Sequence, residues 1–141
     1  MSIDDLLRER RIHRHTASED DLRALADRAE IDLASALHML DQDADWALSI
    51  AYNAVLRSAR ALIFSKGFRP ASHEGHKNTF AFLRIVATDE ERPLITYFDR
   101  VRVKRHQALY DAEPRTSKTE AETLIRHARD FLAWTRRDLG L

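Results

Sequence analysis

Gly and Pro residues are rare in this chain of 141 residues, and their positions constrain the fold more than any other feature. The six of them lie at positions 67, 70, 75, 93, 114 and 140. Because Gly and Pro are the strongest breakers of regular structure, the long stretches between them favour uninterrupted helices. No segment alternates apolar and polar residues as a half-buried strand would. The sequence therefore predicts an all-α fold, an up-and-down bundle of four to five helices in a single domain over residues 1–141.

Apolar residues recur at intervals of three and four along five segments, which is the spacing of an amphipathic helix. The predicted helices cover about residues 18–41, 45–66, 72–87, 90–113 and 117–138. Thr16 and Ser117 each precede a Glu by three residues, as in a capping box, and Ser72 is predicted to cap the third helix. Residues 1–17 form an N-terminal extension, in which residues 3–14 are expected to be a short charged helix. The side chains expected in the core include Leu37, Trp46, Phe80 and Val86.

Composition excludes several classes of protein. The chain has no Cys, which excludes a disulfide framework, a thiolate metal site and a Cys nucleophile. No apolar run approaches the roughly 18 residues that a membrane span needs, and the acidic start lacks the apolar core of a signal peptide. His73 and His76 alone do not make a metal site, and no Gly-rich phosphate loop is present. We therefore expect a cytoplasmic protein with no membrane partner, metal or cofactor.

The net charge of zero conceals an uneven distribution. Residues 1–50 carry a formal charge of −6, whereas residues 51–141 carry +6. Such asymmetry is typical either of a protein with a polyanionic partner or of two solvated faces that attract each other within one fold. The charge distribution therefore does not exclude a nucleic-acid partner, and it does not choose between the two interpretations.

The densest basic cluster lies on the fourth predicted helix. Within residues 100–106 it contains Arg100, Arg102, Lys104, Arg105 and His106, and no acidic residue. On a helical wheel Arg105 falls inside the apolar stripe of its own helix. A cation at that position must extend to solvent, pair with an acid, or meet a partner subunit or ligand, because an unpaired buried charge is costly.

These residue types fit the cleavage of a phosphodiester. The reaction needs cations for the charge that develops on phosphorus and a group that moves protons near neutral pH, and Arg and His supply them. An RNA substrate brings its own nucleophile, the 2′-hydroxyl, so a metal is not strictly required. The alternative is a solvated basic helix with an ordinary His.

At this point the sequence resembles the HEPN family (higher eukaryotes and prokaryotes nucleotide-binding domain), over about residues 20–138. The closest likeness is to its small stand-alone bacterial and archaeal members. The resemblance is carried by Asp45-Trp46-Ala47, Ala51-Tyr52-Asn53-Ala54, Ala59-Arg60-Ala61-Leu62, Gly67-Phe68-Arg69-Pro70, Ser72-His73-Glu74-Gly75-His76 and the segment from Arg105 to Asp111. It implies an all-α homodimer whose signature helices meet at the dimer cleft.

The resemblance also implies an activity and a partner. Such proteins include metal-independent ribonucleases that act as the toxin of a toxin–antitoxin pair. The implied antitoxin is a minimal nucleotidyltransferase, which in some pairs adenylylates a Tyr beside the catalytic motif. Tyr110 is then the candidate for adenylylation.

The family's catalytic signature is an Arg, commonly followed by a polar residue, and then a His after four to six intervening positions. Arg100 and His106 have this spacing, although Val101 stands where a polar residue is common. In a second register Arg105 and His106 take the Arg-plus-polar position, and Tyr110 stands where the second His is expected. The resemblance thus assigns catalysis to Arg100, Arg105, His106 and Tyr110, and nucleic-acid binding to Arg102, Lys104 and Arg105.

Two functions follow from these observations. The first is a dimeric RNA- or nucleotide-binding protein that is a toxin-like ribonuclease, paired with a nucleotidyltransferase. The second is a non-catalytic helical module that docks a nucleotidyltransferase partner or a nucleotide, with Arg105 at the interface. RNA cleavage by the purified protein separates them.

Overall fold

The computed structural model of the protein describes the backbone of residues 1–110 and 116–141, and the side chains of residues 1–106 and 116–141. Within these residues it contains six helices and two short strands. They are α1 (Ile3–Arg8), β1 (Ile12–Arg14), α2 (Glu19–Met39), α3 (Ala44–Ser65), β2 (Phe68–Pro70), α4 (Gly75–Val86), α5 (Arg92–Tyr110) and α6 (Lys118–Leu139). The all-α fold is confirmed, since the five long helices are those that the apolar spacing predicts. The predicted end of the fourth helix before Pro114 lies outside the described residues.

Helix α3 is the centre of the bundle. It packs against α2 and α6, and also against α4 and α5. Ala47, Ala51, Ala54 and Ala59 are buried along it, and these small side chains allow neighbouring helices to approach closely. The largest buried side chains come from several elements, and they include Tyr52, Phe80, Phe82, Phe98 and Phe131.

Two of the helix starts show how well local sequence predicts caps. Ser117 caps α6 as expected, since its side chain accepts a hydrogen bond of 3.1 Å from the backbone N–H of Glu120. The cap of α2 is Ser18, and the prediction of Thr16 was wrong. The Ser18 hydroxyl accepts from the N–H of Asp21 at 3.1 Å, while the Asp21 carboxylate accepts from the N–H of Ser18 at 2.9 Å. A capping box two residues further along the chain therefore won over the one predicted.

The start of α4 also differs from the prediction. The predicted Ser72 cap is wrong, because α4 begins at Gly75 after Glu74, which adopts a left-handed conformation (φ 52°) and makes no capping hydrogen bond through its side chain. Residues 71–74 thus form a turn between β2 and α4, which places the first turn of α4 at the edge of the bundle.

The N-terminal extension is only partly helical. Helix α1 ends at Arg8, and Arg10 has a φ of 58°, so the predicted helix over residues 3–14 is wrong beyond Arg8. The chain then extends as β1, which pairs antiparallel with β2 in the register Ile12↔Pro70. Strands of three residues are too short to give the alternating pattern by which a strand is recognised.

Some side chains predicted to be buried are exposed. Leu37, Trp46 and Val86 are 52%, 49% and 37% exposed, whereas Phe80 is fully buried. Apolar spacing indicates which face of a helix is apolar, but it does not show how far the neighbouring helices cover that face. Among the described residues, no helix has the length and apolar character to cross a membrane.

Gly67 gives a direct test of the turn between α3 and β2. Its φ is +89°, and no atom comes closer than 4.0 Å to the position of an added Cβ. Gly67→Ala is therefore expected to destabilise the protein by about 1 kcal/mol through backbone strain alone. Gly75→Ala is the matched control, since Gly75 has no positive φ and open space around it. Urea unfolding followed by circular dichroism measures both, and equal midpoints would contradict the strain argument.

Candidate functional site

A cavity of about 930 Å³ lies where the second half of α3, strand β2 and the turn after it, the start of α4, and α5 meet. Its charged and titratable lining residues, among those described, are Arg60, Arg69, Glu74, His76, Lys77, Arg102, Arg105 and His106. Five Arg or Lys side chains thus face one carboxylate, that of Glu74, which lies 3.8 Å from the Lys77 ammonium. Such a concentration of cations favours an anionic ligand.

Helix α5 contributes the basic side of the cavity. Arg102, Arg105 and His106 all line it, because residues three and four apart lie on the same face of a helix. The wheel argument thus correctly placed Arg102 and His106 on one face. It also indicated that Arg105 would point inward, and Arg105 is half-buried.

Arg105 lies against the buried ring of Tyr52. Its guanidinium carbon is 5.3 Å from the centre of the ring, which is the geometry of a cation–π contact. Its Nε is buried and has no hydrogen-bond partner among the described residues. A buried guanidinium N–H without an acceptor is unfavourable, so Arg105 is poised to bind an anionic acceptor in the cavity.

Arg102 is compensated within the fold. Its Nε donates to the Asp99 carboxylate at 2.8 Å, and Arg84 pairs with the same carboxylate. Partial burial opposes the ionisation of Asp99, but hydrogen bonds from Arg102 and Arg84 outweigh it and lower the pKa of Asp99 below its usual value. Arg102 therefore brings less uncompensated charge to the cavity than Arg105 does.

His76 borders the cavity from the first turn of α4. Its Nδ1 lies 3.4 Å from the hydroxyl oxygen of Tyr52. Partial burial against α3 and the positive charges of Arg105, Arg102 and Arg60 lower the pKa of His76. Burial also raises the pKa of Tyr52, against the opposing effect of Arg105, so the phenol stays neutral.

The turn before α4 is held from behind by Asn78, which is buried. The Asn78 side-chain amide donates to the backbone carbonyl of His73 at 2.7 Å and to that of Ala71 at 3.4 Å. Its oxygen accepts from Nε of Arg11 at 2.9 Å. The backbone N–H of Ala71 also donates to the carbonyl of Arg11 at 2.9 Å. The segment before α2 thus helps to position one wall of the cavity.

The remaining predicted site residues lie elsewhere. Arg100 is exposed and does not line the cavity. Lys104 also lies outside the lining, and its Nζ is 3.2 Å from the Glu120 carboxylate on α6. The side chain of Tyr110 lies outside the described residues. No group of three or more His, Asp or Glu that could hold a metal occurs in the described part of the chain.

The predictions from sequence did not include Arg60, Arg69 and His76 in the site. A partial signal was present, because Tyr52, Leu56 and Arg60 follow one another at intervals of four along α3 and so share a face. His76 was considered only as a metal ligand. Its place beside α5 depends on the turn of residues 71–74, which spacing along the sequence does not reveal.

Comparison with known proteins now identifies the family. Residues 22–138 match the HEPN domain. The chain belongs to the HEPN domain family. This HEPN chain is also 28% identical, over 120 residues, to a protein of Methanocaldococcus jannaschii named "Putative toxin MJ0142", with 84% of this chain and 82% of the relative covered. The resemblance drawn from the sequence motifs is therefore confirmed at the level of the family.

The family match has one structural consequence for this HEPN chain. It begins at residue 22, so that α1, β1 and the first residues of α2 lie outside it. The cavity residues from Arg60 to His106 all lie inside the match. Arg11, which holds Asn78 from behind, lies outside it.

Proposed function

We propose that this HEPN protein is a toxin-like ribonuclease that binds RNA in the cationic cavity and cleaves it without a metal. The observation that supports this most is the convergence of five Arg or Lys side chains and two His on one cavity, with Nε of Arg105 buried and lacking a partner among the described residues. Phosphate is an anion with several acceptor oxygens, and a planar guanidinium matches it well.

In the proposed reaction Arg105 and Arg102 hold the scissile phosphate. The 2′-hydroxyl oxygen of the RNA attacks phosphorus, and the bond from phosphorus to the 5′-oxygen breaks. His106 transfers a proton in this step, as either acid or base, because an imidazole titrates near neutral pH. The guanidinium groups offset the charge that develops on the non-bridging phosphate oxygens.

The proposal extends to the partners. The name of the Methanocaldococcus jannaschii relative supports a toxin-like role. The resemblance of the motifs to stand-alone HEPN toxins supports a cytoplasmic homodimer whose antitoxin is a minimal nucleotidyltransferase. Val103, which is 50% exposed on α5 and lines the cavity, is an apolar side chain suited to an interface between the two signature helices.

Cleavage of RNA in the presence of EDTA tests the ribonuclease function. We expect the purified protein to cleave single-stranded RNA under these conditions, and His106→Ala to lower the rate about 100-fold, which is typical for loss of one acid–base group. Gel analysis of end-labelled RNA measures both rates. His73→Ala is the matched control, because His73 is exposed and does not line the cavity.

Two outcomes would contradict this proposal. An unchanged rate in His106→Ala would remove His106 from the mechanism. If the native protein bound RNA or a nucleotide but cleaved no RNA, the non-catalytic module that docks a nucleotidyltransferase or nucleotide would be the better description.

A further inference from the structure

Two imidazoles from different helices border the same cavity. His106 belongs to the basic cluster of α5, and His76 lies in the first turn of α4. The family's Arg-to-His spacing lies entirely on α5, so it leaves His76 without a role. The side chain of His76 is exposed at the cavity, where a bound RNA can reach it.

Cleavage by a 2′-hydroxyl requires two proton transfers. One group must take the proton from the 2′-oxygen as it bonds to phosphorus, and another must give a proton to the departing 5′-oxygen. One imidazole cannot be both protonated and unprotonated at the start of the reaction. A site with His106 alone therefore lacks either the base or the acid.

The surroundings of His76 fix its position. Its Nδ1 lies 3.4 Å from the hydroxyl oxygen of Tyr52, and the Tyr52 ring is fully buried beneath Arg105. When Nδ1–H donates to the Tyr52 oxygen, the lone pair of the neutral imidazole is on Nε2. Tyr52 thereby selects the tautomer in which Nε2 can accept a proton.

The charges around His76 favour its neutral form. Arg60 and Tyr52 face it from α3, and Arg102 and Arg105 face it from α5. On its own side of the cavity, Glu74 and Lys77 lie close to each other and offset each other's charge. Because partial burial and the three guanidinium groups lower the pKa of His76, this imidazole is neutral at pH 7, as a general base must be.

We propose that His76 is the general base of the RNA cleavage and that His106 is the general acid. This inference rests on the proposed ribonuclease function. The 2′-hydroxyl proton passes to Nε2 of His76 while the 2′-oxygen bonds to phosphorus. The bond from phosphorus to the 5′-oxygen breaks, and that oxygen takes a proton from protonated His106. The products are a 2′,3′-cyclic phosphate and a 5′-hydroxyl, and exchange with water restores both imidazoles.

A pair of RNA substrates distinguishes the two roles. One carries the normal 5′-oxygen at the scissile bond and the other carries sulfur there, since a thiolate leaves without a general acid. We expect His106→Ala to cleave the oxygen substrate about 100-fold more slowly than the native protein, but the sulfur substrate at nearly the native rate. His76→Ala is expected to be about 100-fold slow on both substrates.

The pH dependence provides a second readout. As pH rises, His76 loses its proton, so the native rate on the sulfur substrate should increase through the pKa of His76, below that of an ordinary imidazole. His76→Ala should lack this rise. His76→Gln is measured alongside it, and His73→Ala is expected to keep both the native rate and the native pH profile.

Tyr52 is a positioning residue in this scheme. Tyr52→Phe keeps the buried ring but removes the oxygen that fixes the tautomer of His76. We expect the rate to fall about two- to tenfold on both substrates, which corresponds to the loss of one ordinary hydrogen bond. Because the base and not the acid is affected, sulfur at the leaving position should not restore this rate.

Each outcome of these experiments has a definite meaning. If His76→Ala and His76→Gln cleave the oxygen substrate like the native protein, the inference is wrong and the proposed ribonuclease function stands. If sulfur restores the rate of His76→Ala, His76 is the acid and the assignment as base is wrong. If the native protein cleaves neither substrate, the proposed function itself is wrong.

Discussion

Replacing Arg105 with alanine is expected to lower the rate of RNA cleavage about 1,000-fold at low substrate concentration. The guanidinium lies at the cavity with a buried Nε that has no partner among the described residues, and its contact with the Tyr52 ring sets its position. Loss of one positioned donor to a developing oxyanion typically costs about 100- to 1,000-fold. The estimate for Arg105 takes the upper end because the same group also contributes to substrate binding.

The charge of Arg105 also contributes to affinity through counterion release. Binding of single-stranded RNA should weaken as salt rises, and the logarithmic slope should become shallower by about 0.7 for each phosphate that the protein no longer neutralises. Fluorescence anisotropy at several salt concentrations measures this slope for the native protein and for Arg105→Ala. Arg105→Lys should restore the slope but only part of the cleavage rate, because an ammonium cannot present the forked donors of a guanidinium.

Arg129→Ala is the matched control for Arg105. Arg129 is exposed on α6, a helix that contributes no residue to the described lining of the cavity. We expect this variant to keep the native rate and salt slope. Equal losses in both variants would show that the overall charge of the protein matters and that the cavity does not.

Replacing Asn78 with alanine is expected to destabilise the protein by about 3 kcal/mol. The change leaves the Arg11 guanidinium and the carbonyl of His73 without their buried partner. Each lost hydrogen bond to a charged group contributes roughly 1.5–3 kcal/mol, and an unsatisfied buried acceptor costs about 1–3 kcal/mol. Urea unfolding measures the loss, and RNA cleavage should fall as well because the turn that carries His76 loses its support.

Asn78→Asp separates the two sides of this contact. The carboxylate keeps an acceptor for Arg11 but has no N–H to donate to the carbonyls of His73 and Ala71, so we still expect a clear loss of stability. Asn53→Ala on α3 is the control, because the Asn53 side chain makes no hydrogen bond to the described residues. A native midpoint for Asn78→Ala would refute the role assigned to this amide.

The fold could largely be predicted from local sequence. Five long helices follow from the apolar spacing, and Gly67 marks the end of α3 because only a glycine adopts its φ of +89° without strain. The errors lie at the helix starts, where Ser18 and Thr16 offered competing caps and the tertiary fold selected between them. Burial of Leu37 and Trp46 was predicted wrongly because the extent of the neighbouring helices is not encoded in either helix alone.

The site could be predicted only in part. Arg105 was singled out because a cation within an apolar stripe conflicts with the pattern around it, and such conflicts tend to occur at functional sites. His76 and Arg69 gave no such signal, since exposed His and Arg are ordinary on a polar turn or strand. They reach the cavity through the turn between β2 and α4 and through the pairing of β1 with β2, and such long-range contacts leave no periodic trace in the sequence.

The pairing of β1 with β2 also divides the protein into parts with different tolerance to sequence change. The helices within residues 22–138 must preserve close packing around α3, where one added methyl group is felt. Strand β1 meets the cavity wall through main-chain hydrogen bonds, which place few demands on side-chain identity. A different N-terminal segment can therefore be grafted onto the same bundle, and the shape of the ligand cavity can be altered without redesign of the core.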